Sequence, residues 1–174
     1  MDRREALRSV AILLGTAISA GTTDILFSSY TLPEGEKNAV SFTTEQLKAL
    51  TEIADVIIPT TKSSPGAKVA GVGKFIPMMI TDCYPAKQQQ SFHKGLKEFE
   101  ARAKKAYGKS FALIPLTERK KMLTVLRQET LDQKTNKIPE KVDIAYFFTT
   151  VRDLTSLGYF SSEVGCTKAR EYVL

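Results

Sequence analysis

The chain has 174 residues, 43% of them hydrophobic, with 25 Lys and Arg against 19 Asp and Glu for a formal net charge of +6. That length suits one domain with a real core and is too short for two comfortable ones, and so mild a basic excess gives no basis for a nucleic-acid partner. A single histidine and two cysteines leave few residues from which a triad or a His/Cys metal centre could be assembled.

In chain order, the first element is an export signal over residues 1–20. Arg3-Arg4 is followed by Leu7 and Arg8, then by an apolar and small-residue run from Val10 to Ala20. A charged n-region, a short h-region and a small-residue exit are the parts of a secretory signal, and a twin arginine selects the route that carries folded proteins. Asp2 and Ala6 depart from the usual surroundings of such arginines, and the alternative is an uncleaved amphipathic helix. The run is too short to span a bilayer, which takes about 20 apolar residues. Cleavage is expected near Ala20 or Gly21, with localisation in the periplasm, peripheral to the cytoplasmic membrane.

Residues 21–42 read as an irregular lead-in, broken by Thr22-Thr23, Ser28-Ser29 and Pro33-Glu34-Gly35-Glu36. From residue 43 to 174 the periodicity predicts one all-α domain of about five helices. Thr43 and Gln46 form a capping box, ahead of a stripe of Leu47, Leu50, Ile53, Ala54 and Ile57 that Pro59 stops. The second helix carries Val72, Phe75, Ile76, Met79 and Ile80, with Pro77 expected in its opening turn. The third runs from about Ala86 to Tyr107, burying Phe92, Leu96, Phe99, Ala103 and Ala106, and Gly108 caps it. Phe111 to Ile114 is the one stretch that also reads as a strand. Thr117 caps a fourth helix striped by Met122, Leu123, Leu126 and Leu131. The fifth, from about Glu140, carries Phe147, Phe148, Val151, Leu154 and Leu157 and ends at Gly158.

No catalytic, cofactor-binding or metal site is expected in this chain. His93, the one histidine, reads as lying on the exposed side of its helix, beside a buried Phe92. The glycine-rich stretch over residues 66–74 puts Lys68 where a phosphate loop needs its first glycine and Phe75 where it needs Ser or Thr. Asp55, Asp82 and Asp153 form no acid/base pair by spacing. Lys104-Lys105 and Arg119-Lys120-Lys121 lack the interleaved aromatics that stack bases. Neither Cys83 nor Cys166 belongs to a haem or metal motif; in an oxidising compartment they pair with each other, pair with a partner, or are buried as thiols.

Ile53-Ala54-Asp55-Val56-Ile57-Ile58-Pro59-Thr60-Thr61, then Ser64-Pro65-Gly66-Ala67, Val72, Phe75 and Asp82-Cys83-Tyr84, resembles the first half of the gluconate 2-dehydrogenase subunit 3 (gamma, small subunit) family. Phe147-Phe148-Thr149-Thr150-Val151-Arg152-Asp153-Leu154-Thr155, Gly158 to Gly165, and Lys168-Ala169-Arg170-Glu171-Tyr172 resemble its C-terminal signature. The resemblance implies a small subunit without cofactor of its own, in a complex whose flavoprotein, of the glucose-methanol-choline oxidoreductase type, carries FAD and oxidises a sugar, sugar acid or polyol. A cytochrome c subunit passes the electrons on, and contact with the membrane comes through the complex only. The implied tasks are to stabilise the flavoprotein and to lend it an export signal. A stand-alone exported enzyme or small-ligand-binding protein is the alternative, recognisable by convergent polar groups in an apolar pocket.

A docking subunit exposes apolar surface and concentrates aromatics there. Tyr146, Phe147 and Phe148 cannot share one helix stripe, since three consecutive positions spread about 300° around the axis. With Gly158 ending the helix, Tyr159 and Phe160 turn outward or across the domain, and Ser161-Ser162-Glu163 caps a short last helix bearing Cys166. Tyr146, Phe147, Tyr159, Phe160 and Cys166 are therefore the expected partner interface.

Overall fold

The computed structural model describes residues 41–134 and 142–169. Over these the chain is all-α, as expected. Helices α1 (Thr44–Ile57), α2 (Val72–Cys83) and α3 (Ala86–Tyr107) lead through a 3₁₀ turn (Phe111–Leu113) to α4 (Leu116–Lys134), α5 (Val142–Phe160) and a π turn (Gly165–Ala169). The expected signal with Arg3 and Arg4, the lead-in as far as residue 40, and the expected start of the fifth helix at Glu140 lie outside the described residues.

Local chemistry sets the helix ends. Thr43 Oγ1 accepts from the Gln46 N–H at 3.3 Å while Gln46 Oε1 accepts from the Thr43 N–H at 2.9 Å. Two donors that the first turn leaves orphaned are thereby satisfied. At the far end of α3, Gly108 takes φ 67°, and its N–H donates to the Lys104 carbonyl at 2.9 Å, a turn that a side chain would strain.

Several features of the helices depart from the reading of the sequence. Pro77 is the sixth residue of α2 and not part of its opening turn; the helix forgoes the bond to the Gly73 carbonyl, and burial of the ring offsets part of that loss. Helix α4 starts at Leu116, one residue before Thr117, with the Pro115 carbonyl accepting from Glu118 and Arg119 at 3.0 Å each. The stretch that also reads as a strand is no strand: Phe111–Leu113 closes a 3₁₀ turn, with the Ile114 N–H donating to the Phe111 carbonyl.

Helix α5 is the hub, packed against α1, α2, α3 and α4, most extensively against α3. A chain of rings runs through the centre: Phe42 to Phe92 at 6.1 Å, Phe92 to Phe147 at 5.1 Å, Phe147 to Phe99 at 5.8 Å and Phe99 to Phe111 at 4.9 Å. Such edge-on and tilted pairs suit the ring quadrupoles. Gly158 does not end α5. It lies within the helix, where an added Cβ would meet the Phe75 ring at 2.5 Å, so the missing side chain serves close packing. Four residues assigned to apolar stripes are exposed, namely Leu47, Ala106, Leu131 and Leu157. Leu47 lies in the first turn of its helix and the other three near the C-terminal ends of theirs, at the margin of the core. His93, expected outside, is buried: the Phe42 ring, from the segment before α1, covers it at 4.2 Å.

Candidate functional site

The expected aromatic interface does not form one surface. Phe147 is fully buried and Tyr159 nearly so. The Tyr159 hydroxyl donates to the Pro65 carbonyl at 2.7 Å and lies 2.8 Å from Ser64 Oγ, which ties α5 to the loop after α1. Tyr146 is half-buried, its hydroxyl donating to Gln88 Oε1 at 3.3 Å. Of the five residues only Phe160, 40% exposed, presents a large apolar side chain outward. Its ring meets that of Tyr159 edge-on at 5.2 Å. Cys166 is half-buried, its thiol donating to the Phe160 carbonyl at 3.1 Å, and Gly165 N–H donates to Ser162 Oγ at 3.0 Å in the turn that carries it. Both cysteines are free thiols, and Cys83 is exposed. Of Tyr146, Phe147 and Phe148, which spread around the axis, the two phenylalanine rings are buried although they point in different directions, because α5 has neighbours on several sides, and Tyr146 keeps part of its surface exposed.

In the glycine-rich stretch five amides are spent on nearby carbonyls: Ala70 on Gly66, Gly71 on Lys68, Val72 on Ala67, and Lys74 and Phe75 on Gly71. An anion-binding loop needs such donors free. Among the described residues no group of three or more His, Cys, Asp or Glu is placed to hold a metal, and no helix is long and apolar enough to cross a membrane.

Shifted titrating groups mark ties between helices. Burial alone would raise the Glu52 carboxyl, but hydrogen bonding from Lys68 and the charge and hydrogen bond of Arg119 outweigh it and hold Glu52 below its ordinary range. Arg119 also donates to the Ile114 carbonyl at 2.6 Å and the Ala112 carbonyl at 2.9 Å, joining α4 to α1 and to the turn before it. Arg102 joins α3 to α4 through Glu129 at 2.8 Å. The bond from Lys121, and after it the one from the Tyr107 hydroxyl, lowers the Glu118 carboxyl, and donating to that carboxylate raises the Tyr107 phenol. Neither the Glu52 tie nor the Arg102 tie is visible in sequence spacing, because their partners are 67 and 27 residues away.

Apolar surface is exposed on α4. Leu116 and Val125 are 49% and 56% exposed. Between α4, the end of α1 and α5 runs an open groove of about 420 Å³, floored by Val56, Ile57, Leu123 and Phe148 and edged by Lys120, Arg127 and Arg152. On the opposite flank, between α3 and α4, Met122, Val125 and Tyr107 line a smaller hollow of about 250 Å³. Sequence reasoning misses this region because it assigns α4 a single internal stripe; the apolar residues spread around that helix are the available signal.

Residues 44–174 match the family model described as gluconate 2-dehydrogenase subunit 3. No curated protein and no solved structure matches the chain.

Proposed function

Because the chain belongs to the gluconate 2-dehydrogenase subunit 3 family, we propose that it is the non-catalytic small subunit of an exported FAD-dependent dehydrogenase acting on a sugar, sugar acid or polyol. The observation that carries this reading is the family match across residues 44–174, which takes in every described helix. In this reading the cofactor belongs to a flavoprotein partner of the glucose-methanol-choline oxidoreductase type, with a cytochrome c subunit as electron acceptor. The small subunit stabilises the flavoprotein by covering its surface. A folded, FAD-loaded protein without a signal crosses the membrane only with a chain that has one, and Arg3-Arg4 ahead of the apolar run over residues 10–20 supplies it.

The test is purification of the full chain, tagged at its C-terminus, from its own host. Dehydrogenase activity and flavin absorbance should accompany it, both in the periplasmic fraction, and both should stay in the cytoplasm when Arg3 and Arg4 are replaced by Lys. Export of the double variant at the normal level would refute the signal. A tagged chain that brings down no flavoprotein would refute the subunit role.

A further inference from the structure

The α4 groove brings a recessed apolar floor together with cations on its edge and no carboxylate in its lining. Leu123 and Phe148, 6% and 5% exposed, form its floor with Val56. Lys120 and Arg127 stand on its edge, both exposed. Seven residues apart on one helix, they fall on the same face, about 10 Å from each other. Elsewhere Lys68 and Arg119 are matched by Glu52, Arg102 by Glu98 and Glu129, and Lys121 by Glu118, while most exposed lysines, Lys87 and Lys94 among them, make no ion pair among the described residues. No ion pair among the described residues engages Lys120 or Arg127, and no carboxylate lines the groove. The third cation, Arg152, is held by its neighbour Asp153 at 2.7 Å.

We propose that this groove docks an acidic segment of the catalytic partner, with two carboxylates set against Lys120 and Arg127 and an apolar side chain between them on the floor of Leu123 and Phe148. The proposal rests on the subunit reading above. Charge complementarity selects the occupant: desolvating two cations without a counter-charge is unfavourable, while carboxylates that meet them speed encounter and fix register. An apolar floor between charged edges also matches the buried-centre, polar-rim layout of protein interfaces. A polypeptide fits better than a bilayer, since a flat membrane surface takes up protruding apolar residues and this floor is recessed.

The tagged full chain, purified from its host, is compared with Lys120→Glu/Arg127→Glu, with Thr124→Trp, which fills the groove without changing charge, and with the control Lys87→Glu/Lys94→Glu on exposed positions of α3. Both groove variants should recover at least tenfold less dehydrogenase activity per mole of tagged chain, with circular dichroism and melting temperature retained, and the control should match wild type. Undiminished recovery by folded groove variants overturns the groove and leaves the subunit reading standing, as does an equal loss in the control. Loss of binding to phosphatidylglycerol vesicles with normal recovery of the dehydrogenase assigns the groove to the membrane and also overturns it. If the wild-type chain recovers no dehydrogenase, both readings fall.

Discussion

Helices α4 and α5 carry the same sequence sign, apolar residues spread around the axis with no single dominant stripe, and the structure resolves it in opposite ways. In α5 the spread reflects enclosure: Ile144, Phe147, Phe148, Val151, Leu154 and Tyr159 are all buried, against helices on several sides. In α4 only Leu123 and Leu126 are buried among the apolar positions, and Leu116, Val125 and Leu131 face outward. A low amphipathicity therefore marks either a central helix or one with a second face to cover. Composition separates the two. Bulky aromatics and β-branched residues dominate α5, whereas α4 interleaves its aliphatics with Lys120, Lys121 and Arg127, side chains that resist full burial.

The contrast breaks first if α5 is not enclosed. Phe147→Ala should lower stability by about 3–5 kcal/mol through the lost burial and the cavity left behind, read as a large drop in melting temperature of the free domain; a drop within experimental error would place that ring outside the core. A finer probe of the same enclosure is Tyr159→Phe. It keeps the ring and removes the hydroxyl that reaches Pro65 and Ser64, with an expected loss of about 1–2 kcal/mol in denaturant unfolding.

The tie that holds α4 to α1 is sharpened by pH. Because the Glu52 carboxyl is held below its ordinary value of 4.5 in the folded chain, its contribution is fully present above that value and is lost as the pH falls through the folded pKa. Glu52→Gln should thus flatten the acid-side decline of stability, and equal slopes for variant and wild type would show that Lys68 and Arg119 do not hold that charge. The smallest effect belongs to the outer face of α4. Leu116→Ser and Val125→Ser should change the stability of the free chain by no more than about 0.5 kcal/mol, and a larger loss by either would return α4 to the enclosed class.

Much of the fold is legible in the sequence because it is written locally. The box of Thr43 and Gln46 and the glycine at 108 announce the start of α1 and the end of α3 within a few residues, and the bounds of α3 follow from that glycine and from Pro85. What is not legible depends on contacts distant in sequence. Nothing near His93 says that Phe42 will cover it. Gly158 has the composition of a helix stop, and only the Phe75 ring against it explains a helix that continues. The aromatic corner is misplaced for the same reason: a helical wheel counts directions around one axis, and it cannot count how many neighbours fill them. The groove is hidden more deeply still, since its floor is drawn from α1, α4 and α5, and the absence of a carboxylate from its lining becomes visible only once those helices are packed.

The position of α5 in the chain has a consequence for how the domain comes into being. Helices α1 to α4 precede the helix against which each of them packs, so a nascent chain that has reached residue 134 holds four partly apolar helices and no centre. Folding is then expected as one concerted event once α5 is available, with a substantial share of its contacts closing long loops. Until then, the unfinished chain has the character of a chaperone client, and a pause in synthesis before α5 exposes it to aggregation and proteolysis more than a pause at any later point.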